Sequence, residues 1–135
     1  MSEMFGQRVV VITGATGALG NLVAQSFAKR GASLALLDNN QEKLDALVRT
    51  LNLPEARLLT LVADLRNGDA VRSAAEAVSK KFDRVDALFH LVGGWTGGKT
   101  IPETSVDDLD FMLNQHVRTT FYLFQAFVII STSLL

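Results

Sequence analysis

The chain has 135 residues, 48% of them apolar and 20% charged, with 13 basic and 14 acidic residues and a formal net charge of −1. That length supports one compact domain able to bury roughly two-thirds of its unfolded surface, and the composition excludes a disordered chain, a collagen repeat and a basic surface that coats nucleic acid. With no cysteine there is no disulfide framework, thiolate metal site or cysteine nucleophile, which fits a reducing, cytoplasmic setting.

The N-terminal MSEMFGQRVV carries an acid and no basic run ahead of its apolar stretch, so no secretory signal is expected. The first strand is expected over residues 8–13 (RVVVIT), a short and nearly continuous apolar run. Directly after it comes Thr13-Gly14-Ala15-Thr16-Gly17-Ala18-Leu19-Gly20, opening a helix whose apolar stripe is Leu19, Leu22, Val23 and Phe27. Glycines at this spacing let the backbone turn tightly and approach a pyrophosphate, and a helix N-terminus offers unpaired N–H groups and partial positive charge. Gly20 would also let the helix pack closely on the strand. The bland alternative is a glycine-rich turn that merely packs well; the strand before and the helix after supply the context that nucleotide binding needs.

The second strand covers residues 33–37, and Asp38 follows it, 18 residues after Gly20. A carboxylate at that place in a dinucleotide-binding fold accepts hydrogen bonds from the adenosine ribose, although Asp38 as a plain turn residue would look the same. A 2′-phosphate would sit against its charge, and neither Ala15, Thr16 nor Asn39 supplies a cation, so NAD is favoured over NADP. A second helix carries Leu44, Leu47, Val48 and Leu51 behind the cap candidates Asn39 and Asn40. The third strand, residues 57–62, leads to Asp64-Leu65, where Asp64 would accept from the adenine amino group or serve only as a loop acid. Asn67 opens a third helix with Val71, Ala74, Ala75, Val78 and Phe82 on one stripe.

The fourth strand spans residues 86–92, and a Gly93–Gly98 loop follows it. The longest helix then carries Leu109, Met112, Leu113, His116, Val117, Thr120, Phe121 and Phe124 on its apolar stripe, with Ser105 and Asp108 placed as a capping box. Strand and helix alternation with short loops predicts right-handed crossovers and an α/β fold: a Rossmann-like, doubly wound parallel sheet, truncated after about four βα units. The charge-free stretch from Thr119 to Leu135 is shorter than the ~20 apolar residues of a membrane span and contains Gln125, Ser131, Thr132 and Ser133, so no membrane partner is expected.

TGATGALG, Asp38, Asp64-Leu65 and the Gly-Gly after the fourth strand together resemble the N-terminal half of a short-chain dehydrogenase/reductase, over essentially residues 8–127. The resemblance implies hydride transfer between a nicotinamide and an alcohol or carbonyl, and a dimer or tetramer. It assigns the cofactor to Thr13, Gly14, Thr16, Gly17, Leu19, Gly20, Asp38, Asp64, Leu65 and Gly93: Thr13 bracing the turn, the glycines at the pyrophosphate, Asp38 at the ribose and Asp64 at the adenine.

The chain also departs from that pattern. Where relatives have Asn-Asn-Ala-Gly it has His90-Leu91-Val92-Gly93, and His90 is expected to be a hydrogen-bonded histidine of the core. His116 stands where the family's helix carries a catalytic asparagine; on the apolar stripe it is expected to face the sheet or the site. Asn114, about 200° away around an α-helix, would point elsewhere. The single tyrosine, Tyr122, is followed four residues later by Ala126 rather than lysine. No Tyr-x-x-x-Lys pair is present to exchange a proton with a substrate oxygen, so no catalytic residue is assigned and the chain is expected to be inactive alone.

The expected domain is residues 1–127, with 128–135 an atypical apolar tail from truncation, frameshift or alternative splicing. A displaced fifth strand over 128–133 carrying Ser131 or Ser133 is the lesser alternative, since a parallel strand needs a longer connection. No metal site is expected, because His90 and His116 lack acidic neighbours at ligand spacing. Two functions follow: the NAD-binding portion of an oxidoreductase, or a non-catalytic NAD-binding module that forms homo- or hetero-oligomers through the 105–127 helix.

Overall fold

The structure, a computed structural model, describes residues 4–132; Met1 to Glu3 and Ser133 to Leu135 lie outside the described residues. The strands are β1 (Val9–Thr13), β2 (Ser33–Asp38), β3 (Leu58–Val62) and β4 (Ala87–His90), and the helices are α1 (Ala18–Lys29), α2 (Gln41–Leu51), α3 (Gly68–Phe82), α4 (Val106–Leu113) and α5 (Thr119–Thr132). All pairings are parallel, in the order β3-β2-β1-β4. The chain winds outward from β1 to β3, then returns to the other side of β1 for β4. At that reversal the loops leaving β1 and β4 part, which opens a crevice at the carboxyl ends of the strands.

Both faces of the sheet are covered, which explains why the strands are apolar runs rather than alternating ones. Val10, Ile12, Leu34 and Leu36 pack with Ala24, Leu44 and Leu47 from α1 and α2. Their strand neighbours Val11, Ala35 and Leu37 point the other way, to Val71, Ala74 and Val78 of α3 and to Leu123 and Phe127 of α5. Side chains such as Ile12, Leu34 and Leu36 are fully buried, and truncating one of them to alanine costs about 2–5 kcal/mol. The caps expected for α2 and α3 form: Asn40 accepts from the Lys43 amide, and Asn67 from the amides of Asp69 and Ala70, each contributing about 1 kcal/mol.

Four expectations change. On α1 the face against the sheet is Gly20 and Ala24, whereas Leu19 and Leu22 are exposed; the helix lies so close to the strand that small residues occupy the contact. β4 ends at His90, two residues before the expected boundary. The long fourth helix is interrupted by a π-helical turn over Asn114–Arg118. That extra residue per turn rotates everything after it, so the buried residues of α5 are Thr119, Leu123 and Phe127, while Phe121 and Phe124 of the expected stripe are exposed, as are Leu109 and Val117 before and within the turn. Finally, α5 continues through Thr132, so residues 128–132 are helical and form no fifth strand.

Candidate functional site

A cleft of about 500 Å3 opens at the carboxyl ends of the strands, walled by Gly14, Thr16, Gly17, Leu37, Asp38, Asn39, Lys43, Ala63, Asp64, Leu65, Arg66, Leu91, Val92, Gly93, Gln115 and Thr119. Seven of the residues expected at a cofactor are therefore brought together: Gly14, Thr16, Gly17, Asp38, Asp64, Leu65 and Gly93. Thr13, Leu19 and Gly20 do not line it. Thr13 is fully buried behind it, its hydroxyl accepting from the Leu91 amide and bonded to His90.

The three glycines of the turn differ in what requires them. Gly14 has φ +66°, and a Cβ there would meet the Leu91 carbonyl at 2.9 Å; Gly20 faces the backbone of Gly14 and Ala15, where a side chain would collide. Both are needed by the chain's own packing. Gly17 has an ordinary φ of −67°, and a Cβ there would meet nothing closer than the Gly14 carbonyl oxygen at 3.4 Å. Its missing side chain enlarges the cleft instead. Gly17 is also the N-cap of α1 and gives no side-chain bond, and the first turn carries no acid. The amides at the start of α1 thus keep their hydrogen-bonding capacity and partial positive charge beside open space, a setting suited to phosphate oxygens.

At the β2 end, Asp38 is anchored toward the turn: Oδ2 accepts from the Thr16 amide at 3.1 Å and the Thr16 hydroxyl at 2.8 Å, and Oδ1 from the Asn39 amide at 2.8 Å. At the β3 end, Asp64 accepts from the Arg66 amide, Nε and Nη2, all at 3.0 Å. Those hydrogen bonds, chiefly from the guanidinium and then from the amide, hold the Asp64 carboxyl below its usual range. Lys43 and Arg66 are cations on the cleft wall that the sequence-level argument about 2′-phosphate missed. Neither is adjacent to Asp38 in sequence, and the start of α2 and the loop after β3 bring them to the same cleft wall.

The β4 side departs most from expectation. His116 does not face the sheet: it is exposed, and its Nε2 donates to the Gly94 carbonyl at 2.6 Å. The ring sits where a Cβ on Gly93 would be, 3.0 Å from Cε1. Gln115 and Thr119 wall the cleft in its place, a consequence of the π turn, which leaves no signal in hydrophobic spacing. His90 is hydrogen-bonded as expected but only partly buried: Nδ1 lies 2.8 Å from Thr13 Oγ1 and Nε2 lies 3.1 Å from Thr119 Oγ1. Burial, and secondarily the charge of His116, lowers its pKa. Tyr122 is turned away from the cleft, against Gly68 of α3. Among the described residues no group of three or more His, Asp or Glu side chains is arranged to hold a metal ion. No helix among them is long and apolar enough to cross a membrane.

A family model described as short chain dehydrogenase matches residues 8–130. The chain is 34% identical over 104 residues to meso-2,3-butanediol dehydrogenase of Serratia marcescens, an alignment covering 77% of this chain and 40% of that protein. It is 35% identical over 109 residues to levodione reductase of Leifsonia aquatica, covering 79% and 40%. Among solved structures, a short-chain dehydrogenase/reductase described as glucose/ribitol dehydrogenase from Brucella melitensis superposes with a TM-score of 0.88 at 28% identity, over 97% of this chain and 53% of that one. An NAD+-bound xylitol dehydrogenase does so with a TM-score of 0.81 at 29% identity, over 90% and 47%. The chain spans about half, or somewhat less, of the length of the curated relatives it matches.

Proposed function

Because the chain belongs to the short-chain dehydrogenase family, we propose that it forms the part of an oxidoreductase that holds a nicotinamide dinucleotide, with NAD favoured over NADP. The observation that carries this reading is the uncapped start of α1 beside the open wall at Gly17, with Asp38 on the rim of the same cleft. When bound, the dinucleotide supplies hydride exchange between an alcohol and a carbonyl. Holding the dinucleotide falls to the chain's own residues. The amides that open α1 meet the pyrophosphate charge, Gly14 and Gly20 hold the turn in place, and Asp38 accepts from a ribose hydroxyl on the Oδ1 lone pair that Asn39 leaves. The NAD+-bound state of the xylitol dehydrogenase relative supports the same choice.

Lys43 and Arg66 set a limit on the preference for NAD. Arg66 is engaged by Asp64 on its Nε and Nη2 edge, which leaves Asp38 and Lys43 as opposed charges on the same cleft wall. Discrimination rests on the balance between them. Fluorescence titration tests it: NADH binds at least about tenfold more tightly than NADPH, equivalent to about 1.4 kcal/mol. Tighter NADPH binding overturns the role given to Asp38, and no binding at millimolar NADH overturns the reading for this chain.

A second reading, a non-catalytic module that binds NAD and pairs through its long helix, is favoured by one observation. Val117, Phe121 and Phe124 are more than half exposed along one side of the helix, an apolar surface of the kind that marks interaction sites. Tyr122 faces α3 and has Ala126 rather than lysine four residues on. Association separates the readings: the module forms oligomers through this face, and Phe121→Glu with Phe124→Glu abolishes them while NADH binding is kept.

A further inference from the structure

Building on the dinucleotide reading, we propose that His90 is a positioning residue. Through one neutral tautomer it ties the strand end carrying the glycine turn to the π turn walling the cleft, so that proton uptake at its ring loosens dinucleotide binding.

The tautomer follows from counting donors. The Thr119 hydroxyl has one proton, and it donates that proton to the Gln115 carbonyl at 2.7 Å. Thr119 Oγ1 can therefore only accept from His90 Nε2, 3.1 Å away, so Nε2 carries a hydrogen. At the other side of the ring, Thr13 Oγ1 accepts from the Leu91 amide at 3.2 Å and lies 2.8 Å from His90 Nδ1. With Nδ1 unprotonated, the Thr13 hydroxyl donates to it, and every group in the row from Leu91 to Gln115 is satisfied in one direction.

A second proton on the ring breaks that row at one place. Nδ1 would then donate to Thr13 Oγ1, and the Thr13 hydroxyl proton would lose its acceptor in a side chain with 0% exposure. A buried donor left unpaired is unfavourable, so the ring and Thr13 would separate. Thr13 has no room to move alone. The next residue, Gly14, is at φ +66° and lies so close to Leu91 that an added Cβ would stand 2.9 Å from its carbonyl. A shift at Thr13 is thereby passed to the glycine turn, while a shift of the ring is passed to Thr119 and Gln115 on the opposite wall. Around the imidazole, β1 presents Thr13 and the long helix presents Thr119, both neutral. His116 is the titratable group whose charge acts on it, and that charge disfavours proton uptake at His90. The ring thus spans residues 77 apart in sequence on one side and 29 apart on the other.

The test uses the whole chain labelled with 15N-histidine and 15N-glycine. At about pH 8 the His90 ring should show hydrogen on Nε2 and a bare Nδ1, and on acidification the amide signals of Gly14 and Gly17 should shift with the His90 midpoint. Calorimetry with NAD+ should show affinity falling about fivefold between about pH 8 and about pH 5, the ring staying neutral until the pH drops below its ordinary range because burial lowers its pKa. The fall should persist in His116→Gln and flatten to within about twofold in His90→Asn, whose amide does not titrate. Hydrogen on Nδ1, glycine signals that ignore the His90 titration, or an undiminished pH dependence in His90→Asn overturns the proposal. Absence of NAD+ binding by the wild type at about pH 8 overturns the dinucleotide reading and the effect on binding together. The tautomer and glycine shifts of the unliganded chain then decide the structural tie separately.

Discussion

Asp38, the last residue of β2, accepts both the amide and the hydroxyl of Thr16, 22 residues earlier in the chain, on a single carboxylate oxygen. The residue offered to the ribose is therefore also a brace for the glycine turn, and Thr16 sets its orientation. Thr16→Val keeps shape and amide but removes the 2.8 Å hydroxyl bond. NADH affinity should fall about fivefold, the equivalent of about 1 kcal/mol for one hydrogen bond, measured by fluorescence titration at unchanged melting temperature.

Removing the charge tests selectivity. Asp38→Ser leaves Lys43 and Arg66 on the cleft wall without the opposing carboxylate. The ratio of NADPH to NADH affinity should rise by about tenfold or more, since a carboxylate beside a phosphate is a like-charge contact. An unchanged ratio would place selectivity elsewhere.

The glycines separate binding from folding. Gly17 has backbone angles any residue adopts and space beside it, so Gly17→Ala should melt within a degree or two of wild type yet bind NADH at least about tenfold more weakly. Gly20→Ala drives a methyl into the backbone of Gly14 and Ala15; it should lower the melting temperature by several degrees, as overpacking of about 1–3 kcal/mol does. Calorimetric melting alongside titration distinguishes the two.

Asp86 governs acid stability. Burial by itself would raise its pKa, but hydrogen bonds from Arg84, the Val9 amide and Arg8 outweigh that and hold it at about 2. A carboxyl depressed in the folded state stabilises fully above its unfolded pKa of about 3.9 and loses that contribution as pH falls through about 2. Asp86→Asn should therefore lower stability at neutral pH by about 1 kcal/mol, solvent screening weakening these surface ion pairs, and the difference from wild type should shrink below about pH 4. Urea unfolding across that range measures it.

The exposed helix face bears on assembly. Phe121 and Phe124 are 58% and 57% exposed, and Phe121→Glu with Phe124→Glu should reduce self-association while leaving Leu123 and Phe127 in the core. Sedimentation velocity is the measurement. A wild-type chain that stays monomeric at high concentration would remove the helix as an association surface.

Local pattern fixed much of this molecule. The four apolar runs place all four strands within a residue or two of their ends, and the caps at Asn40 and Asn67 form where side-chain chemistry demands them. The glycine turn, Asp38, Asp64 and Gly93 converge on one cleft because the crossover rule brings the carboxyl ends of parallel strands together, and that rule needs only the order of elements. The buried side was legible for α2 and α3, whose expected stripes hold Leu44 and Leu47 and Val71, Ala74, Ala75 and Val78 inside, but not for α1 or the long helix. Spacing in the long helix singled out the Val117, Phe121 and Phe124 face, whereas the position of α3 and the π turn bury Leu123 and Phe127 instead. The same turn moved His116 to the loop and brought Gln115 and Thr119 to the cleft. Lys43 and Arg66 on the same cleft wall as Asp38, and the row from Thr13 through His90 to Thr119, likewise depend on tertiary structure. Hydrogen bonds and burial are settled by what lies across space, whereas strands, caps and turns are settled by neighbours along the chain.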